Sequence, residues 1–208
     1  MLDYSYEIMA HENGYKVVCG IDEAGRGPLA GPVFAAGVIL PENYSHPVLN
    51  DSKKLSEKKR DAVYDDIIKD AISYSVGIAT EEEIDEINIL NATFLAMKRA
   101  VDGLNIKPDF AYIDGNQYPK TGVKEETIVK GDGKYLSIAA ASILAKTYRD
   151  DYMCRLHEEY PHYGWDHNAG YPTREHREGI RLHGLTPYHR RSFNQLGDGQ
   201  LSLFPDEA

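Results

Sequence analysis

The chain has 208 residues, 42% of them hydrophobic and 27% charged, which suits one globular domain with a substantial core. It holds no apolar run long enough to cross a bilayer and no basic-then-apolar leader after Met1, so a cytoplasmic protein without a membrane anchor is expected. A net charge of −10 leans against general polyanion binding, but residues 120–195 carry 12 basic and 10 acidic groups, and "DSKKLSEKKR" packs five basic groups into ten residues, so local phosphate contacts remain open.

In chain order, "KVVCGID" reads as a buried strand and "GPVFAAGVIL" as a second, the two joined by a tight glycine-rich turn. Pro41 and "PENYSHP" end the second strand. Ser56 is placed to cap a helix running to about Asp70, with Ala62, Val63, Ile67 and Ile68 as its apolar face. "ISYSVGIAT" alternates as a half-buried strand should. "NILNATFLAMKRAVDGL" spaces Leu90, Phe94, Met97 and Val101 along one helical face and stops at Gly103. "DFAYIDGN" is a short strand ending in Asp114, and "ETIVKGDGK" repeats the design with Asp132 in its Gly-Asp-Gly turn. "LSIAAASILAKTYRDDYMCRLHEEY" is a long helix broken by Pro161; its small residues, Ala139 to Ala145, read as packing against a sheet. A further helix follows Thr173, and irregular sequence runs from Gly184. Cys19 and Cys154 make no disulfide framework and have no zinc spacing. The order of elements argues for a mixed α/β sheet. Residues 1–16 form an N-terminal extension, 17–195 the main domain and 196–208 a flexible tail.

Three strands end in carboxylates: Asp22 with Glu23, Asp114, and Asp132. Ligands of open α/β sheets sit beyond strand ends. If these strands are neighbours, four carboxylates converge, and an all-oxygen set of that kind suits Mg²⁺ or Mn²⁺. Two such ions about 4 Å apart are the apparatus of in-line phosphoryl transfer. Each acid taken singly also fits an ordinary turn position; Asp22 and Glu23 follow their strand with no turn to explain them.

"IDEAGRGPLAGPV", "DSKKLS", "IDGN", "VKGD" followed by "SIAAASILAK…RD", "GYPT" and "HRRSF" together resemble type 2 ribonuclease H (ribonuclease HII) from about Val17 to Phe193. The resemblance implies the ribonuclease H-like fold: a five-stranded mixed sheet with flanking helices, plus a C-terminal helical region. It implies cleavage of the RNA strand of RNA–DNA hybrids, and cutting 5′ to a lone ribonucleotide in duplex DNA, with 5′-phosphate and 3′-hydroxyl ends. Asp22, Glu23, Asp114 and Asp132 would then be the catalytic ligands of two Mn²⁺ or Mg²⁺ ions. Type 3 relatives carry an extra N-terminal domain, for which the 16 residues before the first strand leave little room.

By the same resemblance, Gly25, Arg26 and Gly27 read the 2′-hydroxyl and nearby phosphates, where glycine permits close backbone approach. Tyr171 checks that the next nucleotide is DNA-like. Lys53, Lys54 and Lys146 are expected to contact phosphates, as is Arg149. His189, Arg190 and Arg191 would lie near phosphates or cap the C-terminal fold, and the six histidines after residue 156 lack a zinc-like constellation. The tail peptide Gln200, Leu201, Ser202, Leu203 and Phe204 is similar to the pentapeptide that binds the bacterial β sliding clamp. The expected molecule is a monomeric nuclease serving DNA repair and replication. Its rivals are a hybrid-binding adaptor without chemistry, against which all four acids argue, and a branched-DNA nuclease, which the Gly-Arg-Gly turn disfavours.

Overall fold

A computed structural model describes residue 2, residues 4–49 and residues 56–197 of the chain. One sheet has the order β3-β2-β1-β4-β5, built from β1 (Val18–Ala24), β2 (Val33–Ile39), β3 (Ser73–Ala79), β4 (Phe110–Asp114) and β5 (Lys124–Ile128). The first three strands pair antiparallel, while β4 lies parallel to both β1 and β5. Strand β2, "VFAAGVI", is buried along its whole length. Its unbroken apolar run therefore reflects a sheet covered on both faces.

Helix α3 (Glu81–Asp102) covers one face over Cys19, Ile21, Val33, Ala35, Ala111 and Ile113. Helices α2 (Glu57–Asp70) and α4 (Leu136–Glu159) cover the other, over Ala36 and Val38. Both long helices come close because a strand glycine lies beneath them. A Cβ on Gly20 would stand 2.2 Å from the carbonyl carbon of Ser137, and one on Gly77 2.1 Å from the carbonyl oxygen of Ala96. The small residues of α4 are the other half of that fit: Ala139, Ala140, Ala141 and Ala145 are all buried, as packing requires.

Beyond α4, a 3-10 turn (Pro161–Tyr163), α5 (Trp165–Asn168) and α6 (Arg174–His183) fold around the fully buried Trp165 with Leu29, Ala30 and Met153. Thr173 caps α6, its hydroxyl accepting from the His176 N–H at 3.2 Å. The remaining chain to Gly197 is irregular, as its sequence suggests.

Several local expectations are corrected. Ala62 of α2 is exposed, and the burial falls on Val63 and Ile67. Helix α3 begins seven residues before Asn88, with a Thr80–Glu83 capping box. Asn88 itself breaks it at φ +66° and recaps the second half through its side-chain oxygen, which accepts from Leu90 and Asn91. "EEEIDEI" carries too few apolar residues for its period to be read, whereas the box that starts it is local chemistry.

The N-terminal segment contains a helix, α1 (Ser5–Glu12). Its buried Glu7 accepts from the backbone N–H of Ser137 at 2.9 Å and from the Ser137 hydroxyl at 2.6 Å. Helix α4 has no side-chain cap of its own at Tyr135, so α1 supplies a carboxylate where the helix dipole favours one. Glu7→Ala is expected to lower stability by about 1–3 kcal/mol, and Glu7→Gln by less. Equilibrium urea unfolding checks this; an unchanged midpoint for Glu7→Ala would remove α1 from the cap.

Candidate active site

The alternation of β1 decides where its two acids point. Gly20 meets α4, while Cys19 and Ile21 pack under α3. Asp22 continues the first set, and its carboxylate is hydrogen-bonded to Ser142 of α4. Glu23 continues the second set and shares a small cavity of about 60 Å³ with Leu90 and Phe94 of α3. Asp114 lines that same cavity; it follows Ile113, which is paired with Ile21, so it stands beside Asp22 on the neighbouring parallel strand.

Asp132 is placed differently from its expected strand end. Strand β5 stops at Ile128, Lys130 turns in the left-handed region at φ +57°, and Asp132 lies buried in a 3-10 turn (Gly131–Gly133) leading into α4. That turn is tied back to the site, because the Gly131 N–H donates to Asp114 Oδ1 at 2.6 Å.

Burial and its acidic neighbours Glu23 and Asp114 hold the Asp22 carboxyl well above the usual carboxylate range, despite bonds from Ser142 and the Glu23 N–H. Burial also raises Glu23, and Arg26, 3.4 Å away, partly offsets that. Among the described residues no three His, Cys, Asp or Glu side chains are gathered tightly enough to hold a metal ion. Asp22 accepts from its neighbour's N–H and Asp114 from that of Gly131. The donor set nonetheless fits a hard divalent cation, since it is all oxygen and the buried Asp22 is raised by two further carboxylates, Glu23 and Asp114.

Beside the acids lies a cleft of about 360 Å³ bounded by Asp22, Glu23, Gly25 to Gly27, Ser142, Lys146 and Tyr171. Gly25 sits at φ +98°, where any Cβ would also strike the Arg149 guanidinium at 2.1 Å. Gly27 faces the ring of Tyr171, its absent Cβ 3.4 Å from Cε1. Tyr171 is 46% exposed, available to a ligand. Lys146 stands at the mouth with Nζ 2.6 Å from Asp150, which also meets Arg60 at 3.3 Å. Lys53, Lys54 and the peptide Gln200, Leu201, Ser202, Leu203 and Phe204 lie outside the described residues.

Arg149 is a correction. It is buried, and its guanidinium donates to the carbonyls of Pro32, Ala169 and Ala30 at 3.2, 2.9 and 3.1 Å. It is thus committed to holding chain, not to phosphate. Arg190 behaves the same way, fully buried and donating to the carbonyls of Gly25, Arg26, Pro28 and Gly31. Nothing in the spelling of "HRRSF" separates it from the neighbouring Arg191; only burial does.

A family model described as Ribonuclease HII matches residues 19–196. A ribonuclease HII from Bacteroides fragilis is 62% identical over 189 residues, covering 90% of this chain and 94% of its own. Among solved structures, the ribonuclease H2 from Pyrococcus horikoshii OT3 superposes with a TM-score of 0.73 at 28% identity, covering 87% of this chain and 95% of that one. The RNase HII in a PCNA:RNase HII complex from Archaeoglobus fulgidus gives a TM-score of 0.72 at 28% identity, over 90% and 98%.

The raised Asp22 carboxyl has a thermal consequence. A carboxylic acid whose folded pKa exceeds its unfolded one loses stability as pH climbs between the two. In metal-free buffer at pH 8, Asp22→Asn is expected to melt at a higher temperature than the parent, with the gap closing as the pH falls below the ordinary Asp range. Added Mn²⁺ should raise the parent's melting temperature more than the variant's. Identical pH profiles in calorimetry would show that Asp22 carries no such strain.

Proposed function

The chain belongs to the ribonuclease HII family and is therefore an RNase H endoribonuclease that acts on RNA–DNA hybrids; from that premise we propose that it also cuts 5′ to single ribonucleotides in duplex DNA. What supports the reading is one cleft in which Asp22, Glu23, the Gly25–Gly27 backbone and the exposed ring of Tyr171 lie side by side.

A ribonucleotide differs from its neighbours only by a 2′-hydroxyl and its sugar pucker. A turn without side chains at Gly25 and Gly27 lets main-chain N–H and C=O groups reach that hydroxyl. The ring of Tyr171, held against Gly27, packs on the adjoining sugar and favours one without a 2′-hydroxyl. Arg26 and Lys146 take the phosphates on either side.

In the hydrolysis, a water oxygen bonds to phosphorus as the bond to the 3′-oxygen of the preceding deoxynucleotide breaks. The departing oxygen gains a proton, leaving a 3′-hydroxyl and a 5′-phosphate. Asp22, Glu23, Asp114 and Asp132 would hold the divalent cations, Mn²⁺ or Mg²⁺, which supply Lewis acidity and a lowered water pKa. The role that follows is removal of misincorporated ribonucleotides and RNA primers. Such work fits a cytoplasmic monomer, and no described helix is long and apolar enough to cross a membrane.

The partner reading is a sliding clamp bound through Gln200 to Phe204. The Archaeoglobus fulgidus relative seen with PCNA supports it, as does an apolar "LSLF" in an otherwise acidic tail.

A labelled duplex with one internal ribonucleotide tests the chemistry. The parent should make a single cut 5′ to the ribonucleotide, abolished by EDTA, and Asp114→Asn should lose at least about a hundredfold in kcat/KM. Cutting confined to continuous hybrid would remove the repair role. Deleting residues 200–204 should abolish capture of the protein by purified β clamp and leave nuclease activity intact; retained capture would place the contact elsewhere.

A further inference from the structure

Two of the six histidines after residue 156 are fully buried, and the mechanism above makes no use of them. The Thr186 N–H donates to His189 Nδ1 at 2.9 Å, so the proton of His189 is on Nε2, which points at His176 Nε2 3.1 Å away. His176 Nε2 also receives the indole N–H of Trp165 at 3.0 Å. With that side filled by two donors, the single proton of His176 sits on Nδ1 and is given to the backbone carbonyl of Tyr171 at 3.0 Å. Burial lowers the pKa of both rings, keeping them neutral.

The next residue faces the other way. Arg190 donates through Nε to Gly31 at 2.8 Å, through Nη1 to Pro28 at 2.8 Å and Arg26 at 3.1 Å, and through Nη2 to Gly25 at 2.5 Å. Between the two, Leu29 joins the halves: its N–H donates to the Gly170 carbonyl at 2.8 Å, and its carbonyl accepts from Arg190 N–H at 2.9 Å. Of two adjacent side chains, Arg190 thus ends on main-chain carbonyls of the glycine turn, and His189 reaches that of Tyr171 through His176.

We propose that His189 and Arg190, with His176 as relay, are positioning residues that hold the Gly25–Gly27 turn and Tyr171 at one separation, and thereby set the preference for a lone ribonucleotide over a continuous hybrid. The inference rests on the roles assigned above to the turn and the tyrosine. A lone ribonucleotide offers one 2′-hydroxyl in one register, so turn and ring must both be in place together. A continuous hybrid offers a 2′-hydroxyl at every step and tolerates a looser pair.

The test compares kcat/KM on the two substrates in Arg190→Lys, His176→Phe and His176→Asn. Lysine is a point charge and cannot serve four carbonyls; phenylalanine keeps the ring and loses the donor; asparagine restores an N–H near the place of Nδ1. The ratio of lone-ribonucleotide to hybrid cutting is expected to fall about tenfold or more in the first two and to recover to within about threefold of the parent in His176→Asn. The double variant Arg190→Lys/His176→Phe should fall little beyond the larger single effect, because both act on one distance. Equal losses on both substrates, or fully additive ones, overturn the proposal. Should Arg190→Lys not fold, the His176 pair decides: a ratio that does not fall with phenylalanine, or that asparagine does not recover, ends it. A parent that ignores the lone ribonucleotide refutes the functional reading itself, a failure distinguishable because it needs no variant.

Discussion

Much of this molecule follows from the contact of one glycine with one helix. Because Gly20 has no side chain, the backbone of α4 lies directly on β1 at Ser137 and Ile138. Two residues along the strand, Asp22 then meets Ser142, just over one turn along the helix. The next turns of α4 carry Lys146 and Arg149 along the same cleft. A bulkier residue at position 20 would lift the helix, and the acid would face a gap instead of a hydroxyl. Small residues in the first half of α4 and the chemistry at its middle are thus parts of one fit.

The second constraint is the burial of two cations. Arg149 and Arg190 act on each other electrostatically, and one buried carboxyl, Glu81 at the start of α3, bears on both. Burial pushes Glu81 up to about 7, so at neutral pH this acid is only partly ionised. Stability here comes from hydrogen bonds to carbonyls, not from charge neutralisation. A guanidinium can satisfy several carbonyls of a chain that makes neither helix nor sheet, and the segment from Gly25 to Pro32 is such a chain.

The acids of β1 and β4 were legible in the sequence because strands alternate and end abruptly; "GIDE" and "YIDG" can hardly be placed otherwise. The sheet and the apolar half of α4 were legible for the same reason, period and composition agreeing. What escaped is non-local. Ala62 is exposed because no partner covers it, a fact about neighbours rather than spacing. Asp132 reads as a strand end, yet three residues of turn intervene, set by a left-handed Lys130. Arg149 reads as a phosphate ligand until the carbonyls of Ala30 and Ala169 are seen around it. The four acids were expected to converge; among the described residues their side chains form no tight cluster, and the carboxylates of Asp22 and Asp114 accept from backbone N–H groups.

The bond from Glu7 to Ser137 spans 130 positions of chain. On a ribosome, the first helix emerges and finds nothing to cap. Every strand of the sheet is synthesised before the helix that Glu7 caps, and the loop that finally closes contains all four acids as well as the glycine turn. Closing so long a loop costs conformational entropy that grows only as the logarithm of its length, while the waiting time grows with every residue added. A half-made chain therefore carries its carboxylates unassembled, and the cleft comes into being only near the end of translation.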